Sequence, residues 1–155
     1  MIKYRDLKDN DYVWVIYDAN WDKSIPSQYK YAPSDYTVEK CLIVKNNLNV
    51  PRTIDHSTPW EEPHPFTVYE HWISIRFKDM IYSRYYTDNY DEYKHMIITP
   101  EVNVNGPTIE VFSNYEYAKE YLINMCQKEI NNLRNIINEK QEEINLLEKS
   151  LKQVE

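Results

Sequence analysis

The sequence predicts an α+β protein: a small antiparallel β-sheet or partly open barrel over residues 1–112, then one long C-terminal helix over 113–155 that forms a coiled coil. Three observations predict it. Short runs of alternating apolar and polar residues fill the first part with no helical segment between them, which implies antiparallel pairing of about six strands. From Ser113 onward neither glycine nor proline interrupts the chain. Within that stretch isoleucine recurs every seventh residue, as Ile123, Ile130, Ile137 and Ile144, the spacing of a helix–helix seam.

The elements follow in order. In "LKDNDYVWVIYD", Asp9, Asn10 and Asp11 make a turn before an apolar strand, Tyr12 to Tyr17. This stretch is similar to the first strand of small Tudor-like β-barrels. Residues 18–36, with Pro26 and Pro33, read as a long polar loop, and the β-branched run Thr37 to Lys45 reads as the second strand. Residues 46–66 hold Pro51, Pro59, Pro63 and Pro65, which argue against a regular helix or a central strand and predict a second long loop. Ile73, Ile75 and Phe77 then alternate with Trp72, Ser74, Arg76 and Lys78, as in a strand with one buried face; Asp79 marks a bend, and Met80 to Tyr86 continue as the next strand. "TDNYDEY" reads as a turn and "HMIIT" as a short strand. "VNVNGPTIEVF" reads as a hairpin, with Gly106 where positive φ is needed and Pro107 making the turn atypical.

"SNYE" opens the helix as a capping box, with Ser113 the cap and Glu116 answering it. Tyr115, Ala118, Tyr121, Leu122, Met125 and Cys126 form a stripe broad enough to dock on the sheet. Beyond it the stripe narrows to heptads. Ile123, Ile130, Ile137, Ile144 and Leu151 fall at position a, and Cys126, Leu133, Lys140, Leu147 and Val154 at d, with Glu129, Arg134, Glu143 and Glu148 flanking at g and e. β-Branched residues at a with leucine at d favour a parallel pair. The expected partner is a second copy of the chain. Glu129 of one helix then meets Arg134 of the other, Glu143 facing Glu148 is a mismatch, and Lys140 is a polar residue in the seam that can set register.

Charge and composition bound the function. The 155 residues suffice for one core plus an appendage. The formal charge is −7, and both parts are mildly acidic: 12 basic and 17 acidic residues precede Ser113, and 6 and 8 follow from it. With no basic stripe, binding to nucleic acid or to an anionic membrane is not expected. The absence of an apolar leader or of a run of about 18 apolar residues predicts a cytoplasmic protein with no membrane span. One glycine among 155 residues leaves no phosphate-cradling loop and no nucleophile elbow. The abundance of Asn, Ile, Lys and Tyr points to an AT-rich genome, such as that of a phage or a low-GC bacterium.

The candidate partner-binding residues are the clustered tyrosines Tyr82, Tyr85, Tyr86, Tyr90 and Tyr93 with the acidic Glu92 among them, and Trp60 in the proline-rich loop. Tyrosine buries a large area at low entropic cost and keeps a polar tip, so it suits protein interfaces. The oligomerisation residues are Ile123, Cys126, Ile130, Leu133, Ile137, Lys140, Ile144, Leu147 and Leu151. His56 and His64 lie near Glu61 and Glu62 but lack a metal-binding or acid–base spacing; His71 reads as structural and His95 as unpartnered. No catalytic, cofactor or metal residue is expected, and Cys41 and Cys126 are expected as reduced, buried thiols. The reading is a non-enzymatic protein-binding protein, in its specific form a phage-encoded inhibitor of a host defence system or a virion accessory protein in the host cytoplasm. The alternative is a small nucleic-acid-binding β-barrel that uses exposed aromatics.

Overall fold

Asp9, Asn10 and Asp11 form the turn their residue types favour. Asp11 Oδ2 accepts from the Lys8 amide at 2.8 Å, Asn10 is left-handed at φ 71°, and β1 (Tyr12–Asp18) follows. The structure is a computed structural model and describes residues 2–22, 33–55, 58–86 and 95–155. After β1 come β2 (Tyr36–Ile54), β3 (Phe66–Phe77), β4 (Met80–Tyr86), β5 (His95–Ile98), β6 (Ile109–Phe112) and one helix, α1 (Tyr115–Lys152). The strands make one antiparallel sheet in the order β4-β3-β2-β1-β6-β5. The chain divides into two units, Met1–Ala118 and Lys119–Glu155.

In the first unit the sheet curls into a half-barrel, because its inner face is apolar on every strand. Val13, Val15 and Tyr17 meet Cys41, Ile43, Ile73, Ile75, Phe77, Tyr82, Met96, Ile98, Ile109 and Val111 there, all buried. Each isoleucine so buried contributes about 2 kcal/mol of hydrophobic stabilisation. The two sheet edges are tied by side chains. The Arg84 guanidinium of β4 donates to the Ile97 carbonyl of β5, and the Tyr82 hydroxyl donates to the Pro107 carbonyl at 2.9 Å. Tyr4, in a 3₁₀ turn at Tyr4–Asp6, is fully buried in the same core, and its hydroxyl donates to the Val111 carbonyl.

The first turn of α1 belongs to this unit. Ala118 is buried and the Tyr115 ring lies 6.1 Å from that of Trp14 on β1. Ser113 is not the cap that the capping-box pattern predicts. Asn114 caps the helix by accepting from the Tyr117 amide at 3.0 Å, while buried Ser113 turns away and donates to the Ile2 carbonyl at 2.9 Å. Two adjacent polar residues competed for one role, and the N-terminal segment claimed the first.

Two further expectations are corrected. The stretch 46–54 is not loop: β2 continues through Pro51 to Ile54, and Ile54 pairs with Phe66 at the start of β3. Pro51 fits because β1 pairs with β2 only as far as Leu42, so among the described residues the far arm of β2 has β3 as its one strand neighbour and a missing N–H on the other side costs little. Register shifts at Ile43/Lys45 and Asn47/Val50 bend the strand before that arm. Gly106, for its part, does not supply positive φ; Asn103 does, at φ 73°. Glycine is needed at 106 for space, since a β-carbon there would come within 2.9 Å of the Met80 methyl and closer still to the Tyr82 hydroxyl.

The second unit is the rest of α1. Helix residues 119–152 hold neither glycine nor proline. At about 1.5 Å per residue the whole helix is roughly 57 Å long.

Candidate protein-interaction surfaces

The tyrosine cluster separates by strand parity. Tyr82 and Tyr86 point inward and are each 2% exposed, so the expectation that they face a partner is corrected: they are core residues. The Tyr82 ring stands edge-on to Phe77 at 5.5 Å, and burial pushes its phenol pKa above the usual value. The Tyr86 ring contacts His71 at 5.0 Å and Tyr4 at 6.1 Å. Tyr85 points outward at 42% exposure. Tyr90, Glu92 and Tyr93 lie outside the described residues.

Around Tyr85 the outer face of β2, β3 and β4 forms an ordered array. Trp72 pairs with Tyr85 in register and stands edge-on to it at 4.1 Å between centroids. Its indole N–H donates to Ser74 Oγ at 3.0 Å, which is in turn 2.8 Å from Ser83 Oγ. In the next rows Lys45 pairs with Ser74, and Leu42, Arg76 and Ile81 lie in line. Lys40 sits over the Tyr12 ring at 4.2 Å. This face therefore presents Tyr12, Ile81 and Tyr85, all exposed, among Lys40, Lys45 and Arg76. The sequence pattern selected the tyrosines by density and passed over Trp72, Arg76 and Ile81; period-2 parity counted outward from Ile73, Ile75 and Phe77 identifies them.

Trp60, between β2 and β3, is 84% exposed, and the paired arms of those strands carry exposed Phe66 and Tyr69, which sequence reading also missed. Buried Glu70 is held there by Arg52 at 3.1 Å through Oε1, while its Oε2 has no hydrogen-bond partner among the described residues.

The described histidines do not converge on a site. His64, Glu61 and Glu62 are exposed, and His56 lies outside the described residues. His71 is buried and its Nδ1 faces the Asn49 amide at 3.4 Å. His95 is not unpartnered: its ring stacks on Phe112 at 5.1 Å and its Nε2 lies 4.0 Å from Glu110 Oε1. Among the described residues no group of three or more His, Cys, Asp or Glu side chains is placed to hold a metal ion. Both cysteines are free; burial first, and then the Glu39 carboxylate, push the Cys41 thiol up to about 12, whereas Cys126 is only half-buried. No helix among the described residues is long and apolar enough to cross a membrane.

On α1, Tyr121, Leu122, Met125 and Cys126 are half-buried, and every residue from 127 onward is exposed. The heptad residues Ile130, Leu133, Ile137, Ile144, Leu147 and Leu151 are 46–70% exposed, as is Ile123, and Ile136 at g widens the stripe. Lys140, at d, does not point an unpaired charge along this stripe; its ammonium binds Glu143 Oε2 at 3.1 Å. Fold and surfaces together define a class: an antiparallel β half-barrel followed by a long helix with an apolar heptad stripe. The chain matches no family model, no curated protein and no solved structure.

Proposed function

We propose that this chain is a non-enzymatic protein-interaction protein that self-associates through the heptad stripe of α1 and recognises a protein target with its β unit. The observation that carries the reading is the row of exposed isoleucine and leucine side chains on α1. An isolated helix has no use for such a row, whereas burial in a helix–helix contact would recover about 1.5–3 kcal/mol for each large side chain removed from water. The exposed aromatics Tyr85 and Trp60 suit the target-facing role. The acidic balance and the Asn-, Ile-, Lys- and Tyr-rich composition support the specific form of a phage-encoded inhibitor of a host defence system or a virion accessory protein acting in the host cytoplasm.

Light scattering on the full-length protein tests the self-association. The expected mass is twice the chain mass of 18.8 kDa, reduced to a single chain by Ile130→Lys together with Ile137→Lys. A wild-type protein of single-chain mass at tens of micromolar would overturn it.

One observation favours a second reading, a nucleic-acid-binding β-barrel: Trp72, Tyr85 and Tyr12 share the outer face with Lys40, Lys45 and Arg76. Aromatics among cations are how single strands are held, with affinity that falls as salt rises. Fluorescence anisotropy with a labelled oligothymidine decides it. Salt-sensitive binding lost in Trp72→Ala would establish this reading, and no binding at low salt would remove it.

A further inference from the structure

We infer that the stripe on α1 is covered by a second copy of the chain running parallel and in register, with Lys140 as the layer that fixes this arrangement. The inference rests on the proposed self-association and specifies its geometry. In a parallel pair, position a packs against a and d against d, so the two Lys140 residues share a single layer between the Ile137 and Ile144 layers. In an antiparallel pair, a packs against d. Each Lys140 would then oppose an isoleucine of the other copy, Ile137 or Ile144 in the registers that overlap most, and two layers would each set an ammonium against an apolar side chain. One polar layer costs less than two, and a slip by a heptad in the parallel pair restores the double cost by setting each lysine against a leucine.

The side chains already favour the single-layer solution. Lys140 binds Glu143 at 3.1 Å, which turns the ammonium from d toward the g flank and out of the seam. The same contact answers the mismatch of the parallel pair. Glu143 faces Glu148 of the second copy, and the lysine neutralises Glu143 where the two carboxylates approach. Two heptads earlier Glu129 faces Arg134 of the second copy, an attractive pair, and in the heptad between them Ile136 faces Gln141, where no charge is opposed. Isoleucine at a with leucine at d is the pattern that selects two parallel strands.

The native thiols supply the measurement. Cys126 is at d, so a parallel in-register pair sets the two Cys126 residues in one layer. An antiparallel pair that stacks Ile137 on Lys140 sets Cys126 opposite Leu151, leaving the two thiols about 25 residues, or roughly 37 Å, apart. Full-length protein is treated with a short-span bismaleimide and run on a denaturing gel. A cross-linked dimer is expected for the wild type and for Cys41→Ser, and none for Cys126→Ser. Leu147→Cys in the Cys126→Ser background restores the cross-link from a second d layer, which separates register from any local effect at Cys126. A protein of dimer mass by light scattering that cross-links at neither position would overturn the parallel register while leaving self-association standing. A protein of single-chain mass would overturn both.

Discussion

The Tyr86 hydroxyl donates a 2.9 Å hydrogen bond to Asn46 Oδ1, joining the last residue of β4 to the point where β2 begins to bend. The Asn46 amide nitrogen donates in turn to the carbonyls of Tyr4 and Leu7, each at 2.9 Å, and the Asn46 backbone N–H donates to Asp9 Oδ1 at 2.8 Å. One asparagine thus holds the N-terminal segment, β2 and β4 together at one end of the half-barrel. Asn46→Ala removes the acceptor of the Tyr86 hydroxyl and a donor from the Leu7 and Tyr4 carbonyls, of which Tyr4 keeps the Leu7 amide at 3.1 Å, and is expected to cost about 2–3 kcal/mol. Tyr86→Phe, which keeps the ring contacts with Tyr4 and His71, should cost only about 1 kcal/mol. Urea unfolding midpoints give both numbers, and equal losses for the two variants would refute the shared-node account.

Gly106 and Tyr82 are coupled by space rather than by backbone conformation. Gly106→Ala pushes a methyl against the Tyr82 hydroxyl and the Met80 side chain, with an expected cost of about 1–3 kcal/mol for overpacking. Removing the hydroxyl makes room, so Gly106→Ala should cost less in a Tyr82→Phe background than in the wild type, although Tyr82→Phe alone loses the bond to Pro107. A double-mutant cycle by thermal or urea unfolding measures the coupling, and strict additivity would exclude it.

The strands were legible where a single local rule governs them. The alternation of Ile73, Ile75 and Phe77 with polar neighbours gave β3 its buried face, and Asp79 gave the turn into β4 its place. The reading failed where a tertiary partner decided the outcome. Pro51 looks like a strand breaker until one knows that β1 stops short and leaves that side of β2 open. Tyr82 and Tyr86 look like Tyr85 in composition; they differ only in strand parity and in finding Pro107 and Asn46 for their hydroxyls. Gly106 advertises a left-handed turn, yet in a chain with one glycine the left-handed positions among the described residues fall to Asn10, Asn49, Asn103 and Lys78. The α1 stripe was legible because heptad spacing is local, whereas a partner for it is not written in that spacing.

The two thiols should behave differently. Cys41 is buried and its pKa is raised from 9.0 to about 12, chiefly by desolvation and secondarily by the nearby Glu39 carboxylate. Aromatic disulfide reagents at neutral pH are expected to modify Cys126 in the folded chain and Cys41 only at the rate of unfolding. The raised pKa also fixes a sign. Below pH 9 the thiol is protonated in both states and its contribution to stability is complete. As pH climbs from 9 toward 12 the unfolded chain loses that proton while the folded chain keeps it, so stability falls. Cys41→Ala should therefore lose less stability than the wild type between pH 8 and about pH 11 in urea titrations. Parallel losses would show that Cys41 does not carry this dependence; Tyr82, shifted in the same direction by burial, would be the next group to replace.

Arg52 and Glu70 form an unequal pair. The arginine side chain is largely exposed, whereas Glu70 is buried with one carboxylate oxygen on the guanidinium at 3.1 Å and the other without a hydrogen-bond partner among the described residues. Exposed ion pairs contribute little, but a buried carboxylate that loses its counter-charge is costly. Arg52→Ala is therefore expected to destabilise the first unit by about 1–3 kcal/mol, more than a surface arginine normally would. Glu70→Gln removes the charge that needs compensation, so Arg52→Ala in that background should cost only a few tenths of a kcal/mol. Since the pair lies across the β2–β3 arms that flank Trp60, hydrogen exchange gives an independent readout. Arg52→Ala should speed amide exchange in Val50–Ile54 and Phe66–Glu70 and leave β1 and β6 protected, whereas uniform acceleration across the sheet would mean that the arms are not a separable unit.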